Sequence, residues 1–223
     1  IQDLGMYDLI HQKFPDLEIH ASTQMHIHNL DGALVAEKLG FKRIVLARET
    51  YIAKIKEIKE NTNLDLEVFV HGSLCVSYSG QCLFSSLVGG RSGNRGACAG
   101  SCRLPYDIVD KNNAVLNQNK KYPLSMKDLC VISSIGTLMD IGVNSFKIEG
   151  RMKSKEYVYL VTKLYRKAID SYIANKKVTI DYNILDKLRK VFNREYTLGF
   201  LNSVNNNDVI NGKQPNNVGV KIG

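Results

Sequence analysis

The feature that most constrains the fold of this chain is an alternation of β-rich runs with helical patterns. The β-rich runs recur at a spacing of about 25 residues, at 17–21, 42–47 and 66–70. Between them, residues 29–39 and 50–60 carry apolar side chains at helical spacing, and Gly40 is typical of a helix end. Strands that alternate with helices in this way predict βα units and a parallel sheet.

The same unit returns later in the chain, after an interruption. Residues 135–141 predict a helix ended by Gly142, and residues 145–148 and 154–174 predict a strand and a long helix. The remainder is less regular, with a predicted strand at 178–180, a helix at 182–192, an Asn-rich stretch at 202–217 and an apolar end at 218–222. The sequence therefore predicts an α/β fold.

Composition narrows the class of protein. The 30 Lys and Arg residues exceed the 22 Asp and Glu residues by eight, and 44% of residues are hydrophobic, as in ordinary globular domains. No stretch approaches the roughly 20 apolar residues of a membrane-spanning helix, and the first ten residues do not resemble a signal peptide. We therefore expect a soluble, cytoplasmic protein. The first residue, Ile1, suggests a piece of a longer protein.

The interruption at residues 71–128 is rich in Gly, Ser, Arg and Cys and shows no sustained period. A long irregular segment inside a compact domain is usually functional. All five cysteines lie between Cys75 and Cys130, and four thiolates from such loops could hold zinc or an iron–sulfur cluster. Only Cys98 and Cys102 have the close spacing of structural zinc sites, whereas the wide Cys75–Cys82 spacing favours a cluster.

Two other interpretations of the cysteines stay open at this stage. Buried free thiols are common in protein cores. Disulfides would require an oxidising compartment, which the odd number of cysteines and the first residues do not favour.

Polar residues follow the predicted strands, where βα proteins place their active sites. Any one of them could be an ordinary exposed residue, but their coincidence at several strand ends indicates a site. The candidate catalytic residues are His20, Arg48, Glu49, His71, Glu149 and Arg151.

Basic residues accompany the cysteines and the later strand, and they suit phosphate or RNA because they neutralise backbone charge. A solvated charged surface is the alternative. The candidate RNA-binding residues are Arg91, Arg95, Arg103, Lys147 and Lys153. Tyr78, Phe84 and Tyr106 are available for base stacking, although tyrosines often fill a core instead.

The sequence lacks the motifs of several hydrolase classes. It contains no G-x-S-x-G, H-E-x-x-H or P-loop pattern, which removes sequence support for serine hydrolases, zincins and P-loop NTPases. A thiol nucleophile at Cys75, with His71 as base and Glu67 as orienting carboxylate, remains as a weaker interpretation. It leaves four cysteines unexplained.

Three longer motifs resemble a known family. They are EVFVHGSLCVSYSGQC at 67–82, GGRSGNRGACAGSCRLPY at 89–106 and SFKIEGRMKSKEYV at 145–158. Together with IHASTQM at 19–25 and IVLARE at 44–49, they resemble the collagenase-like peptidase family of unknown catalytic type.

The resemblance implies a partial (β/α)8 TIM-like barrel that lacks its first strands and carries the Cys-rich insertion. It divides the chain into residues 1–175, the later part of the barrel with the Cys-rich region 71–130, and residues 176–223, a linker and the start of a small C-terminal β element.

The resemblance also implies a function, because better-understood branches of the family hydroxylate a tRNA wobble uridine, a ribosomal RNA cytidine or the ubiquinone ring. It implies a 4Fe-4S cluster, with zinc as the alternative, and prephenate as a co-substrate of the RNA branches. The implied ligands are Cys75, Cys82, Cys98 and Cys130, with Cys102 as the alternate.

We expect an RNA hydroxylase like the tRNA uridine branch, with tRNA or other RNA and a related subunit as partners and no DNA or membrane. A peptidase of the same family is the first alternative. A non-catalytic RNA-binding accessory subunit is the second.

Overall fold

The computed structural model describes residues 1–203 and 205–213 as a mixed α/β structure. Its α-helices are α1 (Leu4–Lys13), α2 (Leu30–Leu39), α3 (Ile52–Asn61), α4 (Phe84–Gly89), α5 (Ile135–Ile141), α6 (Lys155–Asn175) and α7 (Tyr182–Val191). Its strands are β1 (His20–Ala21), β2 (Arg43–Val45), β3 (Asp65–Ser73), β4 (Tyr122–Met126), β5 (Asp128–Cys130), β6 (Ser145–Ile148), β7 (Tyr196–Thr197) and β8 (Ile210–Gly212).

The main sheet is built on parallel strands, as predicted. β1 pairs with β2, β2 with β3, and β3 with β6, all in parallel. β5 joins β3 in the antiparallel sense, with His71 opposite Cys130, and β7 extends the sheet beside β5. Within the described residues the sheet does not close, so the predicted barrel is not confirmed.

Local sequence signals account for most of the helix ends. The Asn29 side chain accepts a hydrogen bond from the Gly32 N–H at 2.9 Å at the start of α2, and Gly40 ends that helix with a φ of 97°. Ser154 caps α6 in the same way through the Tyr157 N–H. The bounds of α5 and β6 agree with the prediction, whereas helix α1, which begins after Asp3, was not predicted.

The predicted strand at 178–180 is wrong, because this segment folds back onto α6. The Thr179 N–H donates to the Ser171 hydroxyl at 2.9 Å, and that hydroxyl donates to the Lys177 carbonyl oxygen. These bonds replace those that a partner strand would have supplied. The predicted apolar end at 218–222 lies outside the described residues.

The core lies between the sheet and its helices. Ile55 and Ile58 of α3 are fully buried, as their helical spacing predicts, and so is Leu164 of α6. Each such side chain contributes about 1.5–3 kcal/mol through burial. This packing holds the strand ends in place.

The Cys-rich interruption contains more structure than its sequence predicts. It includes α4, a 3-10 turn at Ser101–Arg103 and β4, which pairs with β8 in a small antiparallel sheet. The last described strand, β8, thus pairs with a strand of the interruption, and the start of a small C-terminal β element stays a prediction. The division at residue 175 stays a prediction; α7 packs on α6, and β7 belongs to the main sheet.

In the part of the chain that the structure describes, no helix is long and apolar enough to span a membrane.

Candidate functional site

A cavity of about 750 Å³ opens at the carboxyl ends of the parallel strands. Gln24 follows β1, Arg48 follows β2, Cys75 follows β3 and Glu149 follows β6, and all four line it. This is the position at which βα sheets place their active sites. The residues predicted from sequence that line the cavity are Arg48, Cys75, Tyr78, Cys82, Cys98, Cys102, Arg103, Glu149, Arg151 and Lys153.

Four of the five cysteines surround this cavity. They are Cys75, Cys82, Cys98 and Cys102. Burial raises the pKa of the Cys75 thiol, and the neighbouring Cys82 and Cys98 act in the same direction, while Arg48 opposes them. Burial likewise raises the pKa of Cys102, against the effect of Arg103. The thiols are close enough to influence one another electrostatically.

Backbone N–H groups point at two of these sulfurs. The Gly100 N–H donates to Cys98 Sγ at 3.3 Å, and the backbone of Ser77 bonds the Cys75 thiol. Hydrogen bonds of this kind favour the thiolate, which is the form that binds metal. The loops therefore present sulfur in a manner suited to metal ligation.

The spacing of the thiols bears on the size of the group that they could hold. Among the described residues, no three His, Cys, Asp or Glu side chains are close enough to share one metal ion. Because Zn–S bonds are about 2.3 Å, thiolates on one zinc lie within about 4 Å of one another. The four thiols that line one cavity equal in number the cysteine ligands of a 4Fe-4S cluster.

Cys130 lies apart from the cavity. It is 9% exposed on β5, and its thiol is hydrogen-bonded with the hydroxyl of Tyr165 in the core. Its sulfur also accepts a hydrogen bond from the backbone N–H of Ile132. Cys130 therefore differs from the cavity cysteines in its position and not in the kind of hydrogen bond that its sulfur accepts. The structure thus brings Cys102, and not Cys130, together with the other three thiols. The cause is the antiparallel β5, which places Cys130 opposite His71.

Glu49 holds the loop between Cys75 and Cys82. Its Oε1 accepts the Ser79 N–H and its Oε2 accepts the Ser79 hydroxyl, both at 2.9 Å. The same hydroxyl accepts the Arg48 N–H at 3.1 Å. Glu49 does not itself line the cavity, so the structure gives this predicted catalytic residue a positioning role.

His71 is a core residue. Its side chain is 1% exposed, and its ring lies among Tyr157, Tyr165 and Tyr196 with centroid distances of 6.1, 5.6 and 5.4 Å. Burial lowers the pKa of His71 to about 3, so the imidazole is neutral at physiological pH. It does not line the cavity that Cys75 lines, so the structure does not present the two as a nucleophile and its base.

Cations surround the cavity. The Arg48 guanidinium carbon lies 4.1 Å from the centroid of the Phe69 ring, and no ion pair to it occurs in the described part of the chain. Lys153 Nζ lies 3.0 Å from the Phe192 centroid, and burial lowers the pKa of Lys153 to about 8. Arg103, in contrast, lies over no aromatic ring among the described residues; its guanidinium donates hydrogen bonds to the backbone oxygens of Leu74 and Met126.

The other predicted residues lie elsewhere. Lys147 forms an ion pair with Glu67 at 3.0 Å, and His20 remains on β1. Arg91 and Arg95 are exposed in the interruption, where Arg91 Nε donates to the Ala97 carbonyl oxygen at 3.0 Å. None of the four lines the cavity.

Three residues that bear on the cavity were not predicted from sequence. Ser79 forms the hydrogen bond to Glu49. The adjacent Gly80, with its positive φ, was the one sequence signal for a tight turn at this position. Asn94 joins two loops through the Gly80 carbonyl oxygen, and Arg194 lines the cavity while donating to the Ser73 hydroxyl. Arg194 lies 121 residues from Ser73, and no local pattern predicts such a contact.

The chain belongs to peptidase family U32, whose sequence model matches residues 1–211. It is 38% identical to the 23S rRNA 5-hydroxycytidine C2501 synthase of Escherichia coli, over 100% of this chain and 34% of that protein. It is 40% identical to tRNA hydroxylation protein P1 of Bacillus subtilis, over 83% of this chain and 46% of that protein. It is also 36% identical to a collagenase of Porphyromonas gingivalis, over 82% and 47%.

The chain therefore spans about a third to a half of the length of these three curated relatives. No solved structure matches it.

Proposed function

We propose that this chain carries the cofactor site of an RNA hydroxylase that resembles the tRNA wobble-uridine enzymes. The observation that carries the proposal is the convergence of Cys75, Cys82, Cys98 and Cys102 on one cavity at the strand ends. These four cysteines would hold a 4Fe-4S cluster, with Cys102 in the place that the resemblance gave to Cys130. With one cysteine on each of its four irons, such a cluster would supply electron transfer.

The protein's own residues contribute charge and position. Arg48 and Arg103 lie close enough to the thiols to lower their pKa, so they favour the thiolate form that ligation requires. Arg151 and Lys153 also line the cavity and are suited to an anionic co-substrate such as prephenate. Through Ser79, Glu49 holds the loop that follows Cys75 next to the backbone of Arg48.

RNA is the proposed substrate, and two observations support it. Two of the relatives are named for the hydroxylation of tRNA or ribosomal RNA. The chain has a net charge of +8, and exposed arginines lie in the Cys-rich interruption beside the cavity. We propose tRNA as the target and a related subunit as a further partner.

The collagenase name of one relative makes proteolysis the second candidate. A thiol protease needs a thiolate paired with a base. The pKa of Cys75 is raised, and no histidine lines the cavity in the described part of the chain. The cavity therefore favours the hydroxylase over the peptidase.

The test combines cofactor loading with a measurement of product. The protein is reconstituted anaerobically with iron and sulfide, and we expect a brown product that absorbs at about 400 nm. A strain that lacks the gene is then complemented with the wild type or with Cys75→Ser, and nucleosides of its RNA are measured by mass spectrometry. We expect the wild type to restore a hydroxylated nucleoside and the variant not to.

Three outcomes would contradict the proposal. A colourless protein whose Cys75→Ser variant still restores the nucleoside would exclude the cluster. Digestion of gelatin by the purified protein, without any change in RNA, would favour the peptidase. A zinc-containing protein that binds RNA but yields no modified nucleoside would favour the accessory subunit.

A further inference from the structure

A short row of aromatic rings leads to the mouth of the cavity. The Tyr78 side chain lines the cavity and yet is 66% exposed. The ring of His26 lies 5.5 Å from that of Tyr78, and the ring of His28 is stacked on His26 at 4.6 Å. Three rings in succession, open to solvent at Tyr78, form a surface that a planar ligand could extend.

Glu49 contacts this row at two points. Its carboxylate accepts both hydrogen bonds from Ser79, the residue after Tyr78, and its Oε1 lies 2.9 Å from His26 Nε2. His26 itself adopts a left-handed backbone conformation with a φ of 60°, which turns the chain after the 3-10 helix at Thr23–Met25. The backbone beside Tyr78 is therefore held in place before any ligand arrives, which lowers the entropic cost of stacking on its ring.

Cationic side chains border the same rim. Asn94 Nδ2 donates to the Gly80 carbonyl oxygen at 2.9 Å and so joins the loop of Tyr78 to the segment that follows Asn94. The Arg151 guanidinium lies against Gly96, since a Cβ there would be 2.4 Å from its Nη1. Arg95, between Asn94 and Gly96, is exposed. Arg151 thus lines the same cavity as Tyr78, and Arg95 is exposed on the adjoining loop, where both could contact phosphates of a bound strand.

We propose that Tyr78, backed by His26, is the stacking platform for an unpaired RNA base at the mouth of the cysteine-lined cavity. The proposal rests on the proposed function, since it names how that site takes its RNA. An unpaired base can stack on an aromatic ring, whereas a base inside a duplex is already stacked on its neighbours. Arg95 and Arg151 neutralise the flanking phosphates, and Glu49 acts only by holding the platform.

The test measures RNA binding to the full chain after reconstitution with iron and sulfide. The probes are a fluorescent oligouridine of about 12 nucleotides and a blunt RNA duplex of about the same length. We expect the wild type to prefer the single strand, and Tyr78→Ala to weaken that binding about 5- to 150-fold with little effect on the duplex. Tyr78→Phe retains the ring and should bind within about twofold of the wild type.

Tyr182→Ala is the matched control, because Tyr182 is 72% exposed at the start of α7 and does not line the cavity. It should bind the oligouridine as the wild type does. Iron content and thermal unfolding, measured for every variant, should be unchanged by Tyr78→Ala, which separates loss of the platform from loss of the site.

The outcomes distinguish the platform from the proposed function. A wild type that binds the single strand and restores the modified nucleoside, with Tyr78→Ala unaltered in binding, would overturn the platform alone. A wild type that binds neither probe and restores no modified nucleoside would overturn both. A Tyr78→Phe variant as weak as Tyr78→Ala would show that the hydroxyl matters, and the stacking role would be rejected.

Discussion

The guanidinium of Arg103 donates a hydrogen bond to the carbonyl oxygen of Leu74 at 2.8 Å. It thereby ties the residue after Cys102 to the residue before Cys75. A second bond from Arg103, to the Ser125 hydroxyl at 3.2 Å, extends the tie to β4. Two of the proposed ligands are thus placed by one side chain that does not ligate.

Loss of the Arg103 hydrogen bonds should make the positions of the cavity cysteines less fixed. Arg103→Ala removes several hydrogen bonds from a charged donor and leaves buried carbonyl oxygens without a partner, so we expect a loss of about 2–4 kcal/mol in the free energy of unfolding. Iron retention after reconstitution should fall in parallel. Arg91→Ala, which removes an exposed arginine with one bond to a backbone oxygen, is the control and should alter neither quantity appreciably. Equal iron retention in both variants would refute the placing role.

The identity of the fourth ligand is tested by exchanging single thiols. Cys102 lines the cavity and Cys130 is buried in the core, so Cys102→Ser should lose most of its iron and its absorbance near 400 nm, whereas Cys130→Ser should keep both. Iron is measured per polypeptide after anaerobic reconstitution. The reverse pattern would restore the ligand set that the family resemblance implied.

His71 predicts a defined dependence of stability on pH. Its pKa is lowered to about 3 in the folded chain, against an ordinary value of 6.5, so the unfolded chain binds more protons between these values. Folding stability should therefore fall as the pH decreases through that window, by up to about 1.4 kcal/mol per pH unit from this residue.

Urea unfolding between pH 4 and 7 measures the effect of His71. His71→Gln cannot titrate and should reduce the slope, while His11→Gln, on the exposed surface of α1, should retain it. A His71→Gln variant with the wild-type slope would show that the buried imidazole does not contribute.

The backbone at position 80 requires glycine. Its φ is 78°, and a Cβ there would lie 2.1 Å from the carbonyl oxygen of Gln24. Gly80→Ala should lower the free energy of unfolding by at least about 2 kcal/mol, since strain and a backbone clash add. Gly89→Ala, in open space at the end of α4, should be neutral or stabilising by up to about 1 kcal/mol. Similar thermal unfolding of the two variants would contradict this.

The salt dependence of RNA binding tests the cationic rim. Each phosphate contact to a single strand contributes about 0.7 to the slope of log affinity against log salt concentration. Arg151→Ala should reduce the slope by about that amount. Lys163→Ala, on the exposed surface of α6, should not change it. An unchanged slope in Arg151→Ala would show that Arg151 does not contact an RNA phosphate.

Much of the fold was predictable because periodicity and helix ends are local signals. α5 and β6 have the predicted bounds, since Gly142 marks the helix end and polar and apolar residues alternate over 145–148. The antiparallel β5 and the two-residue β7 were not predicted, because such short strands show no pattern of their own. Their place in the sheet is decided by tertiary packing.

The sequence predicts those residues of the site that follow the strands. It does not predict those that depend on contacts between loops. Arg48 and Glu149 line the cavity because carboxyl ends of parallel strands meet. His71 does not, because β3 continues to Ser73 and keeps it inside the sheet. Which cysteine joins Cys75 depends on contacts between loops distant in sequence, which no spacing rule encodes.

The pairing of β4 with β8 affects where this protein can be shortened. Met126 of β4 lies opposite Ile210 of β8, and the Lys127 N–H donates to the Val209 carbonyl oxygen at 2.8 Å. A fragment ended after α7 would keep every cysteine and yet lose the strand that steadies β4, on which Arg103 depends. We therefore expect that the smallest unit able to retain iron extends through residue 212, well beyond the last thiol.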